Sequence, residues 1–214
     1  MIIKAVMPIK LNNERCPGKN TRLLGKKPLL QWELNSLQNT RLCDSITVYC
    51  SSEEIIPFLP NGILFEKRPS YLDSSTTNFT QIFEEFSKKQ IADIYIYAHA
   101  TAPFITVNTM RQCIEAVKSG EYDSAFCAQK IQSFVWVDGS PLNFNADNLP
   151  RTQDINPMFV ETSGIYVFNR EVFTKTKRRI GSNPFIKEVS LKESIDIDNP
   201  EDFVLAERIV NVDI

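Results

Sequence analysis

Several motifs of well-known enzyme classes are missing from this 214-residue chain. Its seven glycines show neither the spacing of a P-loop nor that of a dinucleotide-binding fingerprint. His99 is the only histidine, and no glycine-flanked nucleophile elbow is visible, so a serine–histidine triad lacks support. None of the five cysteines forms a Cys-x-x-Cys pair, which excludes the usual zinc and redox spacings.

Two further absences concern partners. The formal net charge of -2 lacks the basic excess that general nucleic-acid binding requires. No apolar run is long enough for a membrane span or a signal peptide, so we expect a cytoplasmic protein with no membrane partner. The length fits one ordinary domain over 1–214.

Strand and helix patterns alternate along the chain. The strand patterns are β-branched or continuously apolar, and the helix patterns carry apolar residues at helical spacing. Strands are predicted at 2–7, 45–51, 63–66, 94–98, 123–128, 134–137, 164–168 and 185–189. Helices are predicted at 28–39, 78–90, 106–119 and 200–210. Such alternation predicts an α/β fold, with a mostly parallel sheet and helices on both faces.

The regular alternation of strand and helix patterns is interrupted in the second half of the chain. A polar stretch of roughly 138–160 is rich in Asn, Asp and Pro and is longer than a typical connection. We therefore expect one α/β domain with an insertion at roughly 130–165.

A basic loop follows the first predicted strand, over 9–20. It carries Lys10, Arg15 and Lys19, and a turn at Pro17 and Gly18. A buried strand that leads through a cationic loop to a helix start can form a phosphate site, because the cations neutralise charge and the amides donate hydrogen bonds. On charge alone, a solvated surface loop explains this segment equally well.

Three other polar clusters follow predicted strands, where ligands of open α/β sheets bind. A hydroxyl-rich segment spans 71–78, although helix capping explains part of it. Small residues at 97–104 surround His99 and Thr101, which can hydrogen-bond a ligand or simply complete a turn.

The last cluster is acidic and spans 193–202. Asp196 and Asp198 lie two residues apart, so both carboxylates of an extended segment face one side. Such oxygen ligands suit Mg²⁺, which uses one or two carboxylates plus substrate phosphates. Helix capping explains 198–202 but leaves Asp196 unexplained. A cationic loop and an acidic pair at one cleft predict a magnesium-dependent enzyme of a phosphorylated substrate.

Taken in order, these clusters resemble those of the acylneuraminate cytidylyltransferases, which make CMP-activated sialic acid and related nonulosonic acids. The similarity covers nearly the whole chain, and its most specific part is SIDIDNPEDF at 194–203. The segments that carry it are 8–20, 23–29 (LLGKKPL), 101–106 (TAPFIT), 150–153 (PRTQ), 161–166 (ETSGIY) and 194–203.

The resemblance implies a Rossmann-like nucleotidyltransferase fold and a homodimer whose insertion reaches toward the partner's active site. It implies that CTP and an acidic 2-keto-3-deoxy sugar react to give a CMP-sugar and pyrophosphate. The implied catalytic residues are Lys19, Asp196 and Asp198, the two aspartates also holding Mg²⁺ and one helping to deprotonate the sugar hydroxyl. The implied nucleotide-binding residues are Lys10, Asn12, Arg15, Lys19, Asn20, Asp73, Thr76 and Thr77. The implied sugar-binding residues are His99, Thr101, Arg151, Gln153 and Glu161.

This chain departs from the family pattern at several positions. Lys10 stands where the family has an arginine, and a lysine cannot donate two parallel hydrogen bonds to two phosphate oxygens as an arginine does. His99 stands where a glutamine is usual and Val160 where an arginine is usual, which predicts a change in the sugar rather than in the reaction. Two alternatives stay open: a catalytically silent nucleotide-binding protein, and a nucleotide-sugar-dependent glycosyltransferase.

Overall fold

The computed structural model describes residues 1–212, so the last two residues of the predicted 1–214 domain lie outside the described range. The strands are β1 (Ile3–Ile9), β2 (Leu23–Leu24), β3 (Lys27–Pro28), β4 (Ser45–Cys50), β5 (Leu64–Lys67), β6 (Ile94–Ala98), β7 (Ser124–Ile131), β8 (Trp136–Val137), β9 (Ser140–Pro141), β10 (Met158–Asn169) and β11 (Pro184–Val189). The helices are α1 (Leu29–Thr40), α2 (Phe79–Lys89), α3 (Val107–Lys118), α4 (Arg170–Thr176) and α5 (Pro200–Val212).

A seven-stranded sheet forms the centre of the molecule, in the order β11-β7-β10-β6-β1-β4-β5. β1 pairs in parallel with β4 and β6, β4 with β5, and β7 with β11. β10 runs antiparallel to both of its neighbours, β6 and β7. The prediction of a mostly parallel sheet is therefore confirmed.

Local signals explain most of the boundaries. α1 begins directly after Pro28, whose fixed φ suits a helix start. Asn78 and Gln81 form a capping box at the start of α2, so part of the hydroxyl-rich segment does serve as a cap. The side chain of Thr106 caps α3 by accepting the amide of Thr109.

The second half of the chain differs from the prediction. The strand predicted at 134–137 is reduced to β8, which pairs only with β9 in a separate hairpin. The strand predicted at 164–168 is the end of the longer β10, which includes part of the polar stretch. A register shift between Glu161 and Tyr166 interrupts its alternation, and such a bulge hides the strand pattern. The sequence prediction also missed α4.

Two apolar layers cover the sheet. One contains α1 and α3, with Leu34 and Ile114 fully buried against the strands. The other is aromatic, and Phe83 of α2 lies with its ring centroid 4.9 Å from Tyr95 and 5.1 Å from Phe168. Within residues 1–212, no helix is both long and apolar enough to cross a bilayer.

The parallel strands place four polar residues at one edge of the sheet. Lys10, Ser51, Arg68 and His99 are the first residues after β1, β4, β5 and β6. Because the carboxyl ends of parallel strands meet at the same edge, this is where a ligand cleft is expected.

Candidate active site

A cavity of about 240 Å³ opens at this edge of the sheet. It lies beyond the carboxyl ends of β1 and β6, as predicted for an open α/β sheet. The predicted site residues that line it are Lys10, Lys19, Asn20, Thr77, His99 and Thr101. The structure therefore brings together three of the four polar clusters around one opening.

The acidic cluster reaches the same opening through Lys19. This lysine is only 7% exposed, and its Nζ donates to the carbonyl of Ile197 at 2.6 Å. It also lies 3.1 Å from Asp198 Oδ1, which Arg15 approaches at 2.9 Å. Lys19 and Ile197 are 178 residues apart in the chain. The cationic loop and the acidic pair are thus in direct contact although they are distant in sequence.

Asp196 is held differently from Asp198. Ser163 Oγ donates to Asp196 Oδ2 at 2.5 Å, while Asp196 Oδ1 is buried without a hydrogen-bond partner. A buried carboxylate oxygen without a partner is costly, and a cation or a donor from a ligand would compensate it.

These two carboxylates fit magnesium as a partial ligand set. Within the described residues, no three His, Cys, Asp or Glu side chains are grouped so as to hold a metal ion. Mg²⁺ commonly takes one or two carboxylates and completes its shell with waters and substrate phosphates. The unpartnered oxygen of Asp196 matches that mode of binding.

The basic loop is folded onto itself by Asn20. Its Nδ2 donates to the carbonyl of Lys10 at 3.0 Å and to Asn13 Oδ1 at 3.3 Å. Asn20 is buried, so this bonding fixes the loop beside the cavity rather than leaving it solvated. Asn12 lines two further openings next to the loop, and Thr76 is exposed, its hydroxyl paired with Ser74.

Arg68 is a site residue that sequence reasoning missed. Its buried side chain lines the cavity and forms a charge-assisted hydrogen bond with Asp73, whose other oxygen accepts from Ser51 Oγ at 2.5 Å. Asp73 therefore holds a guanidinium at the cavity wall. The available signal was an arginine directly after a strand, immediately before Pro69.

His99 is half-buried at the cavity wall, with its Nε2 enclosed. Its Nε2 has no partner, and its backbone amide donates to Glu33 Oε1 at 3.3 Å. Burial, followed by the charge of Arg179, lowers the pKa of His99 to about 3, so its ring is neutral near pH 7. Burial also raises the pKa of Glu33. Glu33 was missed because it looks like an ordinary residue of a helix.

Glu161 belongs to a third charged group. It accepts from the hydroxyl of Tyr166 at 2.5 Å and from Arg179 Nη2 at 2.8 Å. The guanidinium carbon of Arg179 lies 3.6 Å above the centre of the Tyr166 ring. Sequence reasoning missed Arg179, which follows α4 with no motif around it.

Arg151 and Gln153 lie in the exposed insertion. Arg151 Nε is 2.7 Å from Asp154 Oδ2, and the carbonyl of Gln153 accepts from Gln132 Nε2 at 2.9 Å. Neither lines the 240 Å³ cavity of its own chain. Their contact with the sugar stays a prediction.

The sequence was compared with known proteins. The model of a family described as "Cytidylyltransferase" matches residues 5–212. N-acylneuraminate cytidylyltransferase A of Danio rerio is 24% identical over 97% of this chain, which spans only 50% of that protein. CMP-N,N'-diacetyllegionaminic acid synthase of Legionella pneumophila is 27% identical, over 99% of this chain and 97% of that one.

The fold was compared with solved structures. A CMP:2-keto-3-deoxy-manno-octonic acid synthetase complexed with CTP superimposes with a TM-score of 0.76 and 15% identity, covering all of both chains. At this identity the match concerns the fold alone. It confirms the predicted Rossmann-like nucleotidyltransferase fold.

Proposed function

The chain belongs to the cytidylyltransferase family, and from that membership we propose that it transfers CMP from CTP to an acidic 2-keto-3-deoxy sugar, with release of pyrophosphate. The contact between Lys19 and Asp198 beside the cavity carries the proposal. It joins phosphate-neutralising cations to a carboxylate pair, as phosphoryl transfer requires.

The basic loop would bind the triphosphate. Lys10, Lys19 and Asn20 line the cavity, and Arg15 lies above Asp198. The side chains would neutralise charge that develops on the leaving pyrophosphate, in a site that is already folded. Arg68, which also lines the cavity, would add a donor.

Asp196 and Asp198 would hold Mg²⁺ and orient the sugar. These two carboxylates are the residues that would hold the metal, which would supply Lewis-acid stabilisation of the charge at the α-phosphate. One of the two carboxylates would accept the proton of the attacking sugar hydroxyl. Ser163 would keep Asp196 turned toward the ligand by donating to its other oxygen.

The relatives support an acidic sugar as the acceptor. The names of the two similar proteins refer to N-acylneuraminate and to N,N'-diacetyllegionaminic acid. Both are acids, and the guanidinium of Arg179 is stacked on Tyr166, whose ring lies 5.7 Å from that of His99 at the cavity wall. We propose a related nonulosonic acid without naming one.

We also propose a homodimer in which the insertion completes the partner's site. Arg151 and Gln153 do not line the cavity of their own chain, and the insertion exposes large apolar side chains. Packing of the insertion against a second copy of the chain would explain both observations.

A turnover assay tests the reaction. Purified protein is incubated with CTP, Mg²⁺ and, in turn, neuraminic, legionaminic, pseudaminic and Kdo-type acids, and pyrophosphate is measured. We expect release with at least one acid and none without an acid. CTP binding without release for any acid would instead support the silent nucleotide-binding protein. Hydrolysis or transfer from nucleotide sugars, with CTP inert, would support the glycosyltransferase.

A further inference from the structure

Arg179 is fixed in position by three groups. Its guanidinium carbon lies 3.6 Å from the ring centre of Tyr166 and 5.5 Å from that of Phe79. Its Nη2 donates to Glu161 Oε1 at 2.8 Å. A cation stacked on an aromatic ring and hydrogen-bonded to a carboxylate loses little further entropy when it binds a ligand.

The aromatic support of Arg179 continues into the cavity wall. Phe79 packs edge-on against Tyr97 at 4.9 Å, and the Tyr166 ring centre lies 5.7 Å from that of His99. Tyr97 and His99 both line the cavity. The charge of Arg179 also contributes to lowering the pKa of His99.

The guanidinium has unused hydrogen-bonding capacity. Arginine carries five N–H donors, and within residues 1–212 Glu161 is the only hydrogen-bond partner of the Arg179 side chain. That side chain is 26% exposed, so a ligand can reach it. Glu161 also accepts from Tyr166, so it serves as a fixed anchor for the arginine.

The other arginines near the site have different partners. Arg15 pairs with Asp198 and Arg68 with Asp73. Arg151 pairs with Asp154 in the exposed insertion. Arg179 instead is stacked on Tyr166 of β10, whose ring neighbours that of His99.

We propose that Arg179 is a specificity-determining residue, whose guanidinium binds the carboxylate of the acidic sugar. The inference rests on the proposed function for its substrate class. Two parallel N–H donors match a carboxylate, and this geometry rejects a neutral analogue whose amide presents hydrogen atoms to the same donors. Glu161 acts as a positioning residue, because it reaches the sugar only through Arg179.

The test compares an acid with its neutral analogue. The probe is whichever of the four acids gives the most pyrophosphate, together with its carboxamide. Arg179→Gln, Arg179→Lys and the control Arg178→Gln are assayed with saturating CTP. Arg178 is the exposed neighbouring arginine and lines a separate cavity of about 280 Å³, so its variant has the same change in charge.

We expect Arg179→Gln to raise the KM for the acid about 30-fold, within the range of a lost charge-assisted pair. The KM for CTP should stay within twofold, and the preference for acid over carboxamide should disappear. Arg179→Lys should recover part of the affinity, since lysine keeps the charge but not the fork. Arg178→Gln should behave as wild type.

Two results would overturn the inference. One is an unchanged KM for the acid in Arg179→Gln. The other is an equal loss for acid and carboxamide, which indicates a structural role. If wild-type protein releases no pyrophosphate with any acid, the proposed reaction fails. The role of Arg179 is then decided by calorimetric titration of each acid into the wild type and into Arg179→Gln. Equal binding, or binding by neither protein, would then refute it.

Discussion

At the scale of single residues, the proposed chemistry of the site depends on the contact between Lys19 and Asp198. The lysine is almost fully enclosed and binds both a backbone carbonyl and the carboxylate. A buried ammonium needs such partners, because an unpaired charge away from water is costly. The same arrangement keeps a positive charge at the cavity wall before any nucleotide arrives.

Lys19→Met tests this role directly. We expect kcat/KM for CTP to fall about 100-fold or more, because a preorganised cation that stabilises charge in the transition state is lost. Steady-state kinetics at saturating sugar measures the effect. Lys26→Met, at an exposed lysine of the hairpin turn, is the control and should change kcat/KM less than twofold. A similar fall in both variants would contradict the role.

His99 makes stability depend on pH. Its folded-state pKa is lowered to about 3 from the ordinary 6.5, because the ring is buried and Arg179 and Lys19 are near. As the pH falls below 6.5, the unfolded chain binds a proton that the folded chain does not, so stability is lost toward pH 3.

Replacement by glutamine removes this dependence. Between pH 6.5 and 5, the free energy of unfolding of wild type should fall by about 1–2 kcal/mol more than that of His99→Gln. Urea unfolding at several pH values measures both proteins. Parallel curves for the two would show that His99 titrates normally in the folded state.

The β2–β3 hairpin shows how an element depends on one glycine. Gly25 has a φ of +63°, and a Cβ there would lie 2.7 Å from Val210 Cγ1 of α5. The turn therefore requires both a left-handed backbone and close contact with a helix. The position of this turn is important, because the hairpin connects the basic loop to α1.

Gly25→Ala should destabilise the protein by about 2–4 kcal/mol, through strain and overpacking together. Gly120→Ala is the matched control, because Gly120 has a φ of +82° but no atom within 4 Å of an added Cβ. It should cost only about 1 kcal/mol of backbone strain. Thermal unfolding measures both, and equal losses would show that the contact with α5 is unimportant.

The longer regular elements of the first two thirds were predictable because their patterns are local, whereas the two-residue strands β2 and β3 were not predicted. β1 is apolar apart from Lys4, and α2 and α3 carry caps and apolar faces at helical spacing. β10 was only partly predicted, since its start is polar and its bulge interrupts the alternation. β8 and β9 contain two residues each, too few for any periodic signal.

The candidate site was predictable where it depends on contiguous motifs. The basic loop and the 194–203 segment were expected to meet, and Lys19 contacts Asp198. Arg68, Glu33 and Arg179 were missed because each is a single residue without a motif. Only tertiary packing places them near the cavity, and one sequence carries no direct signal of such packing.

At the scale of the whole molecule, the main feature is an exposed apolar surface on the insertion at roughly 130–165. Trp136 is 57% exposed and packs edge-on against Phe144 at 5.3 Å, and Leu149 is 65% exposed. Exposed apolar patches often mark interfaces. This is the surface that the proposed homodimer would bury.

Trp136→Glu combined with Leu149→Glu should convert a dimer to a monomer and lower kcat at least tenfold, because buried charge is costly at an interface. Sedimentation velocity and the pyrophosphate assay measure the two effects. Leu191→Glu is the control, since Leu191 is 73% exposed outside the insertion. A wild-type monomer with full activity would contradict the proposed assembly.

Transfer of the α-phosphate tests the central claim most directly. The protein is incubated with Mg²⁺, an acidic 2-keto-3-deoxy sugar and CTP labelled at the α-phosphate, and the label is followed by chromatography. The account predicts label in a CMP-sugar with an equal amount of pyrophosphate, and none with Asp196→Asn. Label that remains in CTP for every acid, or equal turnover by Asp196→Asn, would contradict it.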